Sequence, residues 1–181
     1  MSKWLKCAMV ACTMAVTAAT TVPAAADTFI KLADFKGDAT FKGHEGEVNV
    51  LSWGWSASQT RNAASGMASG RAIPGDLTIT KTVDGTTPLL VEAVMTGKTL
   101  PSATLTVVNA AGDRTATSVK IVLTGVNVTS VSVAPAGSTG NLPVEQITLA
   151  YATLEYSVTP ADRAGRPGAT VTYKYDARAG R

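Results

Sequence analysis

Apolar and polar residues alternate along most of this chain, and a period of two is the signature of β-strands. Short alternating runs cover residues 29–35, 76–83, 104–108 and 171–175. In the second of these, Lys81 falls on the same parity as Leu77 and Ile79. Two longer runs, residues 117–133 and 142–158, change the parity of their apolar positions partway along, the first near Gly125. A change of parity predicts a bulge or a bend within each long strand.

The stretch from residue 44 to residue 59 alternates over its whole length and carries two tryptophans on one parity. We expect a single long strand here, with Trp53 and Trp55 on one face and Gly54 between them. Two large rings on one face either complete a core or face another copy of the chain. A glycine between them lets another backbone approach closely or bends the strand.

One stretch has helical spacing instead. Thr87 is a candidate N-cap, Pro88 suits the first helical position, and Gly97 is a typical stop signal. The predicted apolar face of this helix consists of Leu89, Leu90, Ala93 and Val94. One short helix among seven or eight strands predicts a mainly β protein, either an antiparallel β-barrel or a tightly packed two-sheet sandwich.

Residues 57–74 fit neither period. They contain Arg61, Met67 and Arg71 among small residues, and they offer few large apolar side chains for a core. A long irregular insertion in a compact domain is usually functional or mobile. The segment is therefore either a floppy hairpin or a protruding loop that makes contacts.

The first 26 residues have the layout of a secretory signal peptide. Lys3 and Lys6 precede an apolar run over residues 7–19, and three alanines at 24–26 form a small-residue cleavage pattern. The apolar run is short of the roughly 20 residues that a membrane-spanning helix needs. We expect cleavage after residue 26 and one domain over residues 27–181, exported to the periplasm or secreted.

Removal of this leader changes the chemistry that the chain can perform. Cys7 and Cys12 are the two cysteines of the chain, and both would leave with the leader. The mature chain would then have no disulfide and no thiol nucleophile. Its 16 basic and 13 acidic residues already give a net charge of only +3, and the lost leader lysines lower it further. No clustered basic face indicates a nucleic-acid partner.

Catalytic motifs are missing from the sequence. His44 is the one histidine, and any histidine-based triad would depend on it. A loop or strand-edge histidine is the simpler interpretation, and no phosphate loop or metal-binding pair accompanies it. We therefore expect no cofactor, no metal and no enzymatic activity, but a structural or binding role.

A series of short motifs adds a family resemblance. In chain order they are residues 29–32 (Phe-Ile-Lys-Leu), Gly37, 51–56 (Leu-Ser-Trp-Gly-Trp-Ser), Gln59, 76–81 (Asp-Leu-Thr-Ile-Thr-Lys), 84–88, 97–98, 101–106, 147–149 and Tyr156. Each motif is weak alone, but the ordered set resembles the haemolysin-coregulated protein (Hcp) family of bacterial type VI secretion. The resemblance covers nearly the whole chain after residue 26.

The resemblance implies a barrel-like pair of β-sheets with one helix at the side. It also implies homohexameric rings that stack into an injected tube, tipped by a spike, with effectors in the lumen. Residues 57–74, with Arg61, Met67 and Arg71, would then contact the next ring. Trp53 and Trp55 would lie on a core or interface strand.

The predicted leader departs from this family, whose subunits are generally made in the cytoplasm without a cleaved export signal. Two interpretations therefore stay open. The chain is a tube subunit, or it is an exported monomeric β-domain of the same fold that acts as a periplasmic or secreted binding or carrier protein. Neither interpretation places it in a membrane after cleavage.

Overall fold

In the part of the chain that the structure describes, the protein is mainly β with one short helix, as the alternation predicts. A computed structural model describes residues 26–61, 64–67, 70–111, 114–135, 142–161 and 166–179. Nearly all of the predicted leader lies outside these ranges. The strands are β1 (Ala26–Leu32), β2 (Val48–Asn49), β3 (Ser52–Gly54), β4 (Ala57–Ser58), β5 (Ile73–Pro74), β6 (Leu77–Thr82), β7 (Thr99–Ala111), β8 (Arg114–Ala134), β9 (Val144–Ala150), β10 (Thr153–Val158) and β11 (Val171–Asp176), and the helix is α1 (Thr87–Thr96).

The main sheet closes on itself through residues 48–54, which we call the closing segment. Its first half pairs with β1, where Ile30 faces Val48, and its second half pairs with β6, where Trp53 faces Ile79. At the switch, the Val50 amide donates to Thr28 O over 2.9 Å and the Leu51 amide to Thr80 O over 2.8 Å. The order β1–β7–β8–β9–β6 is therefore joined end to end, and the fold is a closed antiparallel barrel.

This closure corrects the prediction of one long strand over residues 44–59. The stretch forms three short strands, β2, β3 and β4, and residues 44–47 precede them as turns. A continuous strand would pair with one neighbour along one edge. Here the chain must leave β1 and join β6 within seven residues, so regular pairing is interrupted at Val50 and Leu51.

Inward-facing side chains fill the barrel. Their positions follow the alternating parity of the strands, because successive residues of a strand point to opposite faces. Fully buried members, each 0% exposed, include Ile30, Ile79, Leu105, Ile121 and Ile147. The opening strand lies three residues earlier than the predicted range of 29–35, since β1 covers Ala26–Leu32 and a turn follows Leu32.

The two long runs with changing parity behave differently. The first is one bent strand, β8, in which Gly125 has a φ of 59° as predicted for the bend, and the register with β9 shifts between Val128 and Ser130. Before the bend β8 pairs with β10, and after it with β9. The second run is divided at Tyr151 and Ala152 into β9 and β10. As a result, β10 pairs over its whole length with the first part of β8, and β11 is added on the outer edge of β10; we call these two strands the ribbon.

The helix ends as predicted but begins differently. Gly97 closes it in the left-handed region, with a φ of 66°. The N-cap is Thr86 and not Thr87, and neither hydroxyl caps the helix, since that of Thr86 donates to Asp84 and that of Thr87 donates to Glu145 of β9 over 2.9 Å. Leu90 and Ala93 are buried while Leu89 is partly exposed, so the apolar face of α1 is narrower than predicted.

Candidate assembly surfaces and a buried ionic cluster

Trp53 and Trp55 both lie half-buried against the barrel core. The indole N–H of Trp55 donates to the Tyr151 hydroxyl over 2.8 Å, and its ring stacks on Tyr156 with centroids 5.8 Å apart. Gly54 between them is exposed, and a Cβ atom added at this position would have no atom of the subunit within 4 Å. The two rings therefore contact the core while the backbone between them stays open to the outside.

The described residues of the predicted irregular segment (57–61, 64–67 and 70–74) form a hairpin whose base is paired. Strands β4 and β5 join Ala57 to Pro74 and Ser58 to Ile73, and the Gly75 amide donates to Ser56 O over 2.7 Å. The pairing gives the base of the segment a regular structure that its sequence pattern does not indicate. We call this segment the hairpin.

The Tyr151 hydroxyl holds the hairpin against the barrel. It accepts from Trp55, just before the hairpin, and donates to Gly75 O, just after it, over 3.0 Å. Burial raises the pKa of Tyr151 above its usual value of 10.0, although the hydrogen bond from Trp55 opposes the change. The phenol therefore stays neutral and keeps the proton that it donates to Gly75.

Replacing Tyr151 with Phe should lower the free energy of unfolding by about 1–2 kcal/mol, because it leaves the Trp55 N–H and the Gly75 carbonyl without this partner. Equilibrium unfolding in urea, followed by circular dichroism, measures the change. Tyr173→Phe is the control, since Tyr173 is mostly exposed and its loss of a hydroxyl should alter stability by less than about 0.5 kcal/mol. Equal effects at the two positions would contradict the role of Tyr151.

The three candidate contact residues of the hairpin are exposed. Arg61 and Met67 lie on its surface, and Arg71 donates from a guanidinium nitrogen to Ala179 O over 2.7 Å. Arg71 therefore contacts the C-terminal part of its own chain, while Arg61 and Met67 present their side chains outward. Their predicted contact with another ring stays a prediction.

A buried ionic cluster that sequence analysis did not identify lies between α1 and the sheet. Lys81 of β6 and Glu145 of β9 face each other in register, and both side chains are 0% exposed. The Lys81 ammonium contacts Glu145 Oε1 at 2.5 Å, Asp84 Oδ1 at 2.8 Å and Thr82 O at 2.9 Å. Three acceptors satisfy the three N–H donors of a lysine.

The cluster connects the barrel to the start of α1. Thr86 donates to Asp84 Oδ1 from its amide over 2.7 Å and from its hydroxyl over 2.5 Å, while Thr87 donates to Glu145. Two carboxylates around one ammonium leave an excess negative charge, which the positive end of the helix dipole favours. Glu145 Oε2 is buried without a hydrogen-bond partner, so the cluster carries a cost in desolvation.

Asp84 makes the cluster sensitive to acid. Burial raises its pKa, but the hydrogen bonds from Lys81 and Thr86 outweigh burial and hold the pKa below the usual value of 3.8. A lowered pKa in the folded state contributes stability that is present above the unfolded-state value and is lost as pH falls through the folded-state value.

Stability should therefore decline as the pH falls below about 4, and Asp84→Asn should show a shallower decline than the unmodified protein. Urea unfolding at a series of pH values measures both slopes. Asp176→Asn, at the end of β11, serves as the control, because Asp176 lies outside this cluster. Parallel slopes for Asp84→Asn and the unmodified protein would show that Asp84 is not responsible.

His44, the sole candidate for a catalytic base, belongs to a small cluster beside the barrel. Its Nδ1 lies 2.8 Å from Glu47 Oε2, and its ring stacks on Phe29 with centroids 4.6 Å apart and planes 9° from parallel. Phe29, Ala39 and Val108 are the buried members of that cluster. These contacts are typical of a histidine that stabilises a loop.

The described residues contain no group of three or more His, Cys, Asp or Glu side chains arranged to hold a metal ion. In the same residues, no helix has the length and apolar character that crossing a membrane requires.

The barrel, its lateral helix and its hairpin match proteins of one kind. The family described as "Type VI secretion system effector, Hcp" matches residues 29–158. Protein hcp1 of Pseudomonas aeruginosa is 35% identical over 157 residues, which cover 85% of this chain and 96% of that protein. These matches define the chain as a component of type VI secretion.

Solved structures agree. One described as a type six secretion system protein superposes with a TM-score of 0.80 at 27% identity, covering 87% of this chain and 99% of the other. Hcp1 from Salmonella typhimurium gives a TM-score of 0.70 at 26% identity, covering 86% and 97%. The chain belongs to the Hcp family of type VI secretion proteins, which confirms the resemblance that its ordered motifs predict.

Proposed function

We propose that this protein is a tube subunit of a type VI secretion machine. In this proposal it closes into homohexameric rings, the rings stack into the injected tube below a spike, and effectors travel in the lumen. The observation that carries the proposal is the match along the full fold, since the alignment covers 96% of hcp1 from Pseudomonas aeruginosa. The work of such a subunit is self-association and not catalysis.

Ring stacking needs a feature that projects from the subunit and keeps its position. The hairpin suits this role, because Tyr151 fixes its base while Arg61 and Met67 are exposed. We therefore propose that the hairpin contacts the next ring of the tube.

The pattern of residues 1–26 favours a second candidate. A cleaved leader would carry the mature chain through the general secretory route, away from a tube assembled in the cytoplasm. An exported monomeric binding or carrier protein with the Hcp fold would then be the better account. Oligomeric state distinguishes the two candidates.

The first experiment is to produce the full chain in a bacterial host and to isolate it from the cytoplasm, the periplasm and the medium. Intact mass spectrometry of each fraction determines whether residues 1–26 are removed. Light scattering and negative-stain imaging then determine mass and shape. Six-fold rings support the tube proposal. A monomer at high concentration overturns it and supports the exported carrier.

Met67→Asp should leave single rings intact and shorten or abolish stacked tubes, because it places a charge at the proposed ring-to-ring contact. Tube length in electron micrographs and ring mass in solution give the two readouts. Met95→Asp is a matched control, since Met95 is an equally exposed methionine on α1, away from the hairpin. Normal tubes from Met67→Asp would contradict the proposed role of the hairpin.

A further inference from the structure

The ribbon has one polar face and one apolar face. On the polar face, Ser157 hydrogen-bonds Thr172 over 2.9 Å and Lys174 pairs with Glu155 over 3.0 Å. On the apolar face the cross-strand pairs are Leu154 with Tyr175, Tyr156 with Tyr173, and Val158 with Val171. A strand pair with strict alternation of this kind is expected to bury its apolar face.

Burial of the apolar face decreases from β10, where Val158 at the tip is still half-buried, to the outer strand β11. Leu154 is 1% exposed and belongs to the core, and Tyr156 is half-buried next to it. Tyr173 is 57% exposed and Val171 is 70% exposed. The apolar face thus continues the core beyond the barrel and emerges into solvent at Val171 and Tyr173.

The ribbon also ends in an open strand edge. Among the described strands, β11 pairs with β10 alone, so the backbone groups along its outer edge are available for another strand. An unpaired edge is a common site of association between chains, and soluble proteins often protect it with a charged side chain. Lys174 does not protect the apolar side of this edge, because its ammonium pairs with Glu155 on the polar face.

A second exposed apolar position lies across the barrel. Going around the barrel from β8, where the ribbon branches off, β9 and β6 lead to the closing segment on one side, and β7 and β1 lead to it on the other. The closing segment therefore lies opposite the ribbon. Leu51, at its centre, is 60% exposed, and the open face of Gly54 is close by in the same segment.

A closed ring of identical subunits requires two different binding surfaces on each subunit. The first surface of one copy binds the second surface of the adjacent copy, and the contact repeats around the ring. A different partner on the ribbon would leave the Leu51 surface uncovered, whereas a second copy covers both surfaces through one repeated contact.

We propose that the tip of the ribbon, centred on Val171 and Tyr173, docks onto the surface around Leu51 of a neighbouring copy of this chain. This inference rests on the proposed ring and assigns its contact. The apolar face supplies the buried area, and the free edge of β11 lies beside it, available to pair with the partner backbone. Apolar side chains that are largely exposed in one subunit become the centre of the subunit interface.

Two variants test the contact, one on each flank. Val171→Asp and Leu51→Asp each place a charge on a side chain that is largely exposed in the subunit, so each variant should fold and remain monomeric. Each variant also keeps one intact surface. Mixing the two monomers should therefore yield a one-to-one dimer that grows no further, because the intact ribbon of Leu51→Asp can dock on the intact Leu51 surface of Val171→Asp.

Thr172→Asp is the matched control. Thr172 is the next residue of β11 and is exposed on the polar face, so this variant should form rings like the unmodified protein. Light scattering measures the mass of each sample, and circular dichroism with thermal melting verifies that each variant is folded. Rings from Val171→Asp would overturn the inference while leaving the proposed ring intact. Two monomers that fail to dimerise on mixing would overturn the pairing of these two surfaces.

The oligomeric state of the unmodified protein distinguishes a failure of the proposed ring from a failure of the proposed contact. If it is monomeric, the proposed ring fails and the inference fails with it. If Val171→Asp does not fold, chemical cross-linking replaces it: a chain with Val171→Cys and Leu51→Cys, and with Cys7 and Cys12 changed to Ser, is treated with a bifunctional maleimide. A ladder that ends at the mass of a closed ring supports the contact. Absence of cross-links in assembled rings refutes it.

Discussion

Lys81→Met should lower the free energy of unfolding by about 3–5 kcal/mol, because it leaves two carboxylates without their ammonium partner in a water-excluded position. Lys81 and the Glu145 side chain are both 0% exposed, and Asp84 is only partly accessible. Methionine replaces the aliphatic part of lysine at similar volume, so the loss is electrostatic and does not come from a cavity. Equilibrium unfolding in urea, followed by circular dichroism, measures the effect.

The chain contains its own control for this substitution. Lys174 and Glu155 are also a cross-strand Lys–Glu pair in register, but Lys174 is 75% exposed and the pair lies on the surface of the ribbon. Lys174→Met should change stability by less than about 1 kcal/mol, the usual range for an exposed ion pair. Similar effects of the two substitutions would mean that the buried cluster does not hold α1 to the barrel.

A second variant separates the loss of the pair from the cost of an unpaired charge. Replacing a buried ion pair by apolar side chains is often neutral or stabilising. Lys81→Met combined with Glu145→Leu should therefore recover part of the stability that Lys81→Met alone loses, because it removes the buried Glu145 charge but still leaves Asp84 without its ammonium partner. Failure of the double variant to recover stability would show that the geometry of the cluster, and not its charge balance, is what the fold requires.

The sequence contains a signal for this cluster, but alternation alone does not show that the two charges meet. Lys81 has the parity of Leu77 and Ile79, and Glu145 has the parity of Ile147 and Leu149. Opposite charges on the apolar faces of two strands predict an internal pair if the strands are neighbours. The sequence does not show that β6 and β9 are adjacent in the sheet, because they are far apart in the chain and periodicity does not indicate which strands pair.

The same limit explains the other differences between prediction and structure. Alternation located the strands, and Gly97 and Gly125 marked the end of α1 and the bend in β8. Alternation did not predict that residues 48–54 change partner from β1 to β6, since the pattern of side chains continues across the switch. The predicted N-cap is one residue too late, and the hydroxyls of Thr86 and Thr87 both bind carboxylates of the buried cluster, which local capping rules do not include.

The exposed tip of the ribbon could not be predicted from sequence either. Val171, Tyr173 and Tyr175 alternate like any half-buried strand, and the pattern places all three on one apolar face. Whether such a face is covered depends on what packs over it. In this subunit Tyr175 packs against the core while Tyr173 and Val171 do not, and only the three-dimensional structure separates them.

Trp53→Ala should destabilise the subunit by about 3 kcal/mol, the lower end of the usual range for removing a tryptophan from a core, because the ring packs on the core but is only half-buried. Urea unfolding followed by circular dichroism measures the loss without relying on the removed fluorophore. Met95→Ala, in α1 and largely exposed, is the control and should alter the stability of the subunit by less than about 0.5 kcal/mol.

Assembly of Trp53→Ala, compared with that of the unmodified protein, decides between a core role and an interface role for Trp53. A core role predicts that Trp53→Ala loses stability and that the fraction that remains folded still assembles. An interface role predicts the reverse, a subunit of normal stability that no longer forms rings in light scattering. Because Trp53 faces Ile79 in the barrel wall and packs on the core from within the closing segment, we expect the first result. A variant with normal stability and normal assembly would contradict both roles.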